Sequence, residues 1–207
     1  MKTVVIYIHG KGGSAEEAEH YRPLFPDCDV IGFDYKSRTP WEAKEEFPTF
    51  IKPLCVEYES VILIANSIGA YFAMQALPDR QIDRAFLISP IVDMEKLILN
   101  ILAWTGVTED DLRERREIAT AFGETLSWDY LCYVRAHPLQ WHILTEILYG
   151  ERDSMTSRET IQDFADRTGA GLTVMENGEH WFHTEEQMAF LDAWLMRLNQ
   201  PADHRNG

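Results

Sequence analysis

Nowhere in the 207 residues do apolar side chains run on for the roughly 18 positions that a membrane-spanning helix needs. The opening run VVIYIHG is too short and ends too polar for a secretory signal, so the expected location is cytoplasmic and no membrane partner is expected. Basic residues are scarce too: 19 Lys and Arg stand against 34 Asp and Glu, a formal net charge of -15. Such a surface repels a nucleic-acid backbone unless its few cations gather in one patch. The densest basic run, RERR at 113–116, is interrupted by Glu114 and followed by Glu117, the pattern of a solvated helix face, so nucleic acid is excluded as a partner. Cysteine is sparse and odd in number. Cys28, Cys55 and Cys132 lie far apart with neither CxxC nor metal-ligand spacing, so buried free thiols are expected, and neither a disulfide framework nor a metal site. Repeats, linkers and low-complexity tracts are absent, and only NQPADHRNG reads as a disordered tail, from about 200 to 207.

What is present is an alternation of short β-branched runs with helical patterns, which predicts βαβ units wound into a mostly parallel sheet of about six strands between two helical layers. The runs are TVVIYI (3–8), DVIGFD (29–34), SVILIA (60–65), RAFLIS (84–89), WHILTEILYG (141–150) and GLTVME (171–176), most of them apolar almost throughout, as strands covered on both faces are. Ser14 with Glu17, Thr39 with Glu42, Thr156 with Glu159 and Thr184 with Gln187 have capping-box spacing and predict four helix starts. One domain, residues 1–207, accommodates all of this. Residues 91–140 break the rhythm, being about three times longer than an αβ crossover needs and showing no strand pattern. Met94, Leu97, Ile98, Ile101 and Leu102 there form one helical stripe, TEDDLRERREIATAF reads as a charged helix, and the remainder is rich in aromatics. The stripe either packs on the sheet or roofs a substrate pocket, and in the second case Leu97, Ile101 and Trp104 are the pocket candidates.

In an open parallel sheet, ligands and chemistry collect beyond the carboxyl ends of the strands. HGKGGS follows the first strand, ANSIG the third, GERDS the fifth and NGEHWFH the last, which puts His9, Ser67, Asp153 and His180 on one rim. In VILIANSIGAYFAM, a buried run stops at Ser67 and a helix opens at once. Asn66 and Ser67 could merely cap that helix. Alternatively, Ala-x-Ser-x-Gly is one substitution from the Gly-x-Ser-x-Gly elbow, whose strained turn exposes a serine nucleophile and whose neighbours must be small, as Ala65, Gly69 and Ala70 are. A serine nucleophile needs an imidazole base and a carboxylate to orient it. His180 and Asp153 fit these roles; His183 is the rival histidine and Asp93 the rival acid. Backbone donors for an oxyanion are expected from Ile68 and from the glycine loop, at Lys11 or, in reserve, Gly12. The loop has neither P-loop nor GxGxxG spacing, and His9 reads as a structural residue within it.

With these motifs in the order nucleophile, acid, histidine, the sequence resembles a small member of the α/β-hydrolase family over nearly its whole length. The resemblance implies a Ser67–His180–Asp153 triad, an oxyanion hole from the Lys11 and Ile68 amides, no cofactor, and a lid at the 91–140 insertion. Ala65 departs from the family's glycine, and on this resemblance the chain is expected to open on the oxyanion strand, without a counterpart of the first two strands of larger relatives. A serine rather than an aspartate at the elbow argues for acyl chemistry on a small, hydrophobic ester or thioester through an acyl-serine. Peptide or carbon–carbon bond cleavage, a lyase reaction, and a binding module with an idle triad are the alternatives.

Overall fold

The computed structural model describes residues 2–77, 82–121 and 125–199; the tail expected at 200–207 lies outside them. Along the chain run β1 (Thr3–Ile8), a single turn α1 (Ala18–Tyr21), β2 (Asp29–Phe33), α2 (Pro40–Glu57), β3 (Ser60–Asn66), α3 (Ser67–Ala76) and β4 (Arg84–Ile88). There follow α4 (Met94–Thr105), α5 (Glu109–Arg115), β5 (Glu117–Ala119), β6 (Thr125–Ser127) and α6 (Trp128–Ala136). The chain closes with β7 (Thr145–Gly150), α7 (Arg158–Thr168), β8 (Gly171–Met175) and α8 (Glu185–Asn199).

Six strands form one sheet in the order β2-β1-β3-β4-β7-β8, every pairing parallel. Strand alternation divides β1 between two cores. Val4, Ile6 and Ile8 pack with Phe47 of α2, Phe72 of α3 and Phe164 of α7, whereas Val5 and Tyr7 pack with Tyr21 of α1 and Trp194 of α8. This is a three-layer sandwich, with α1 and α8 on one face of the sheet and α2, α3 and α7 on the other. Register sets the rim: Ile8 pairs with Ala65 and Phe33, Asn66 with Ile88, and Gly150 with Met175, so the residues that follow these strands emerge side by side.

Three local expectations change. Strand β7 begins at Thr145 and not at 141, because Trp141 Nε1 donates to Thr145 Oγ1 (2.7 Å) and Thr145 Oγ1 donates to the Ile143 carbonyl (2.8 Å), curling the segment. The cap of α7 is Ser157, whose Oγ accepts from Thr160 N (3.2 Å); Thr156 is turned inward instead. The charged helix stops at Arg115, Arg116 takes φ +67°, and a short antiparallel hairpin follows, pairing Ile118 with Leu126. The 91–140 segment therefore contains strands as well as helices; burial of Ile118 and Leu126 against α4 and α6 outweighs the helical propensity of the charged run. The Ser14–Glu17 and Thr39–Glu42 boxes form, and Thr184 Oγ1 accepts from Gln187 N.

Candidate active site

Ser67 occupies the first residue of α3 with φ +50°, a region that few non-glycine residues adopt and that costs about 1–3 kcal/mol. Capping does not explain it. Asn66 stands at the N-cap with no side-chain bond to the helix, and the Ser67 hydroxyl points away to His180. The bend is possible because α3 crosses β1 at close range: a Cβ on Gly69 would overlap the His9 carbonyl oxygen. Ala65, fully buried beside Ile8, accommodates its methyl at the position where a glycine is more usual.

Ser67 Oγ lies 2.8 Å from His180 Nε2, and His180 Nδ1 lies 2.7 Å from Asp153 Oδ2. The carboxylate is wholly buried and the imidazole 21% exposed. Asp153 Oδ1 accepts from the amides of Met155 (2.7 Å) and Thr156 (3.0 Å), so all its hydrogen bonds are to the charged form. A carboxylate at Nδ1 requires the proton there and leaves the Nε2 lone pair for the serine hydroxyl. The loops bearing acid and histidine are joined by the backbone: Glu151 N donates to Met175 O (3.0 Å) and Arg152 N to Gly178 O (2.8 Å). Gly150 permits the contact, since a Cβ there would sit 2.6 Å from the Gly178 carbonyl group and nearer still to Glu179 O.

The rival groups are engaged elsewhere. Asp93 is the N-cap of α4, its Oδ1 accepting from Lys96 N (2.9 Å). His183 stacks on Trp181 and bonds its carbonyl (2.7 Å). His9 stacks on Tyr35 and hydrogen-bonds Gly10 O through Nδ1 (2.8 Å), while the Tyr35 hydroxyl donates to His9 O (3.0 Å). Burial, reinforced by Glu46, holds that phenol above its ordinary range, so it remains a donor.

Gly13 N donates to Gly10 O (3.2 Å) across a four-residue turn whose third residue, Gly12, has φ +77°, the conformation of a type II turn. Lys11 and Gly12 form its corner, and a Cβ on Gly10 would be 3.3 Å from Ser67 Cβ. Ile68 is the second residue of α3, where the helix itself offers its N–H no acceptor. Beneath the turn, the Tyr7 hydroxyl donates to Glu17 Oε2 and Ser14 N to Glu17 Oε1 (3.3 Å). Burial first, then the nearby Tyr21 and Glu17, push the Tyr7 phenol far up, which keeps it a donor to that carboxylate.

Two cavities meet at Ser67, and Lys11 and Met155 also border both. One, of about 170 Å³, is walled mostly by apolar side chains, Ile91, Met94, Leu97, Ile98, Ile101 and Leu126, with Arg38, Ser127 and Tyr130 also lining it. Leu97 and Ile101 thus face it; Trp104 does not, because one further helical turn carries it past the cavity end, where it is 53% exposed. The other, of about 410 Å³, is bordered by Gly10–Gly13, Glu17, Asn66, His180 and Trp181. Met155 and Trp181 were not singled out in the sequence, and Glu17 was read only as a capping-box residue; Met155 and Trp181 each lie within two positions of Asp153 or His180, the signal that could have found them. Among the described residues, no three His, Cys, Asp or Glu side chains gather into a metal-holding cluster, and no helix is long and apolar enough to cross a membrane.

No protein-family profile matches the chain. A candidate esterase/lipase of Mycoplasma genitalium is 33% identical over 76 residues, covering 35% of this chain and 27% of that protein. Among solved structures, Est1E from Butyrivibrio proteoclasticus superposes with a TM-score of 0.75 at 15% identity, over 95% of this chain and 86% of that one. Mouse alpha/beta hydrolase domain-containing protein 10 gives 0.76 at 15% identity, over 94% and 88%.

Proposed function

We propose that this chain, whose fold is that of the α/β-hydrolases, is a serine hydrolase that cleaves carboxylic esters through an acyl-serine. The observation that carries the reading is the unbroken run of hydrogen bonds from Ser67 through His180 to Asp153, with the serine held at positive φ beside the first turn of a helix. Ser67 Oγ forms a bond to the acyl carbon as its proton passes to His180 Nε2. The ester C–O bond then breaks, and the same proton goes to the departing oxygen. Water repeats the sequence in reverse roles and releases the acid. Asp153 stays ionised and stabilises the imidazolium. The amides of Ile68 and of Lys11, with Gly12 in reserve, are the donors assigned to the oxyanion; each such donor contributes typically ~100- to 1000-fold.

A fluorophosphonate probe tests this directly: stoichiometric modification of Ser67 is expected, and a folded protein that resists the probe would overturn the reading. The apolar cavity makes a second prediction. An apolar void of ~150 Å³ holds a benzene-sized group, so straight acyl chains should fit to about six carbons. Each methylene that fits should raise kcat/KM by about fourfold, from ~0.8 kcal/mol of burial, and the rise should stop at that length. A series of straight-chain esters from acetyl to decanoyl measures it.

The Gly150 contact supplies a third. Gly150→Ala should displace the His180 loop, lowering kcat by about 100-fold, the usual consequence of a misplacement near 1 Å, with KM less affected. Native-like kinetics for that variant would mean that the loop contact does not set the histidine's position.

A further inference from the structure

We infer that the two cavities divide the substrate, the acyl group entering the apolar pocket and a polyhydroxylated alcohol, of the size of a sugar ring, occupying the cleft between Glu17 and Trp181; this rests on the acyl-transfer reading above. The direction follows from proton delivery. The departing oxygen takes its proton from His180, so the alcohol must leave on the side of the serine where His180 stands. His180 borders the 410 Å³ cleft and is not among the residues bordering the 170 Å³ pocket. Ser67, bordering both, sits at the junction. The acyl half is thereby limited to a small apolar group, and the alcohol half has more than twice the room.

The lining of the cleft selects the chemistry of that alcohol. Glu17 is held in place by the Tyr7 hydroxyl and Ser14 N, one donor to each oxygen, so each carboxylate oxygen keeps a lone pair for a ligand donor. The backbone of Gly10–Gly13 lines the same space beside that carboxylate, so main-chain polar groups and carboxylate oxygens border it together. Hydroxyl groups, each donor and acceptor at once, satisfy both; a simple cation satisfies only the carboxylate. Trp181 is 67% exposed although it adjoins the site, and the ring of His183 stacks on it at 4.4 Å. Its remaining aromatic surface is a platform for the C–H face of a ring.

The test compares butyrate esters of one acyl group and three alcohols: ethanol, glucose (at its 6-hydroxyl) and choline. Because the acyl-enzyme is common to all three, differences in kcat/KM report the alcohol side alone. The glucose ester is expected to exceed the ethyl ester by at least about tenfold, since a site with hydrogen-bonding groups discriminates against an analogue lacking the partner. That ratio should collapse towards one in Glu17→Gln and in Trp181→Ala, and recover in Trp181→Phe. Equal kcat/KM for the glucose and ethyl esters, a ratio untouched by both substitutions, or a preference for the choline ester would each overturn the assignment. An enzyme that takes the fluorophosphonate and hydrolyses ethyl butyrate while showing any of those results would leave the hydrolase reading standing; failure of labelling and of all three esters would remove both.

Discussion

Replacing Ser67 by alanine is expected to lower kcat/KM for a short-chain ester by about 10⁴- to 10⁶-fold, with the fold intact and fluorophosphonate labelling lost. The size follows from the way such a site works. Nucleophile, base and orienting acid act as one unit, so removing the first leaves only substrate binding and oxyanion stabilisation. A second measurement separates the strain argument from the catalytic one. Alanine and glycine both delete the hydroxyl and its 2.8 Å bond to His180, but only glycine relieves a φ of +50°. At an ordinary helical position glycine is the less stable of the two by about 1 kcal/mol. Here the order should reverse, with Ser67→Gly melting about 2–4 °C above Ser67→Ala. Alanine the more stable would mean that the bend holds no backbone strain; wild-type turnover in Ser67→Ala would sink the acyl-serine.

The sheet was legible because each strand buried on both faces is a near-continuous apolar run, and β1, β2, β3, β4 and β8 start where those runs start. The convergence of 67, 153 and 180 was legible for a topological reason: parallel strands all deliver their carboxyl ends to one rim, so residues distant in sequence meet there. What stayed illegible obeys other rules. The hairpin β5–β6 has three residues per strand, too few for a period-2 pattern, and its stability comes from Ile118 and Leu126 reaching the core. Trp104 has the right angular position on α4 but the wrong height, and periodicity reports angle alone. Glu17 looked like a capping-box residue and is one; that its carboxylate also borders the cleft depends on Tyr7 beneath it, ten residues away on a strand. Composition and spacing carry no record of such a contact.

The choice between the two candidate acids gives the other large effect. Asp153→Asn should lower kcat by about 10⁴-fold while Asp93→Ala leaves it near native. In the native site Met155 N and Thr156 N both donate to Asp153 Oδ1, so an asparagine must present its carbonyl oxygen to them and turn its NH₂ towards His180. Two donors would then face each other across 2.7 Å, and the imidazole would relieve the conflict by moving its proton to Nε2. That nitrogen faces the serine, where a proton blocks acceptance of the hydroxyl hydrogen. The geometry survives and the tautomer is wrong. Asp93 acts on the other side of the ledger: its loss removes the cap on Lys96 N and costs ~1 kcal/mol, about 2–4 °C in Tm, without touching the imidazole. Turnover retained in Asp153→Asn and lost in Asp93→Ala would reverse the assignment, because a carboxylate anchored at 2.9 Å to a helix N-terminus would then have to release that bond to orient the histidine.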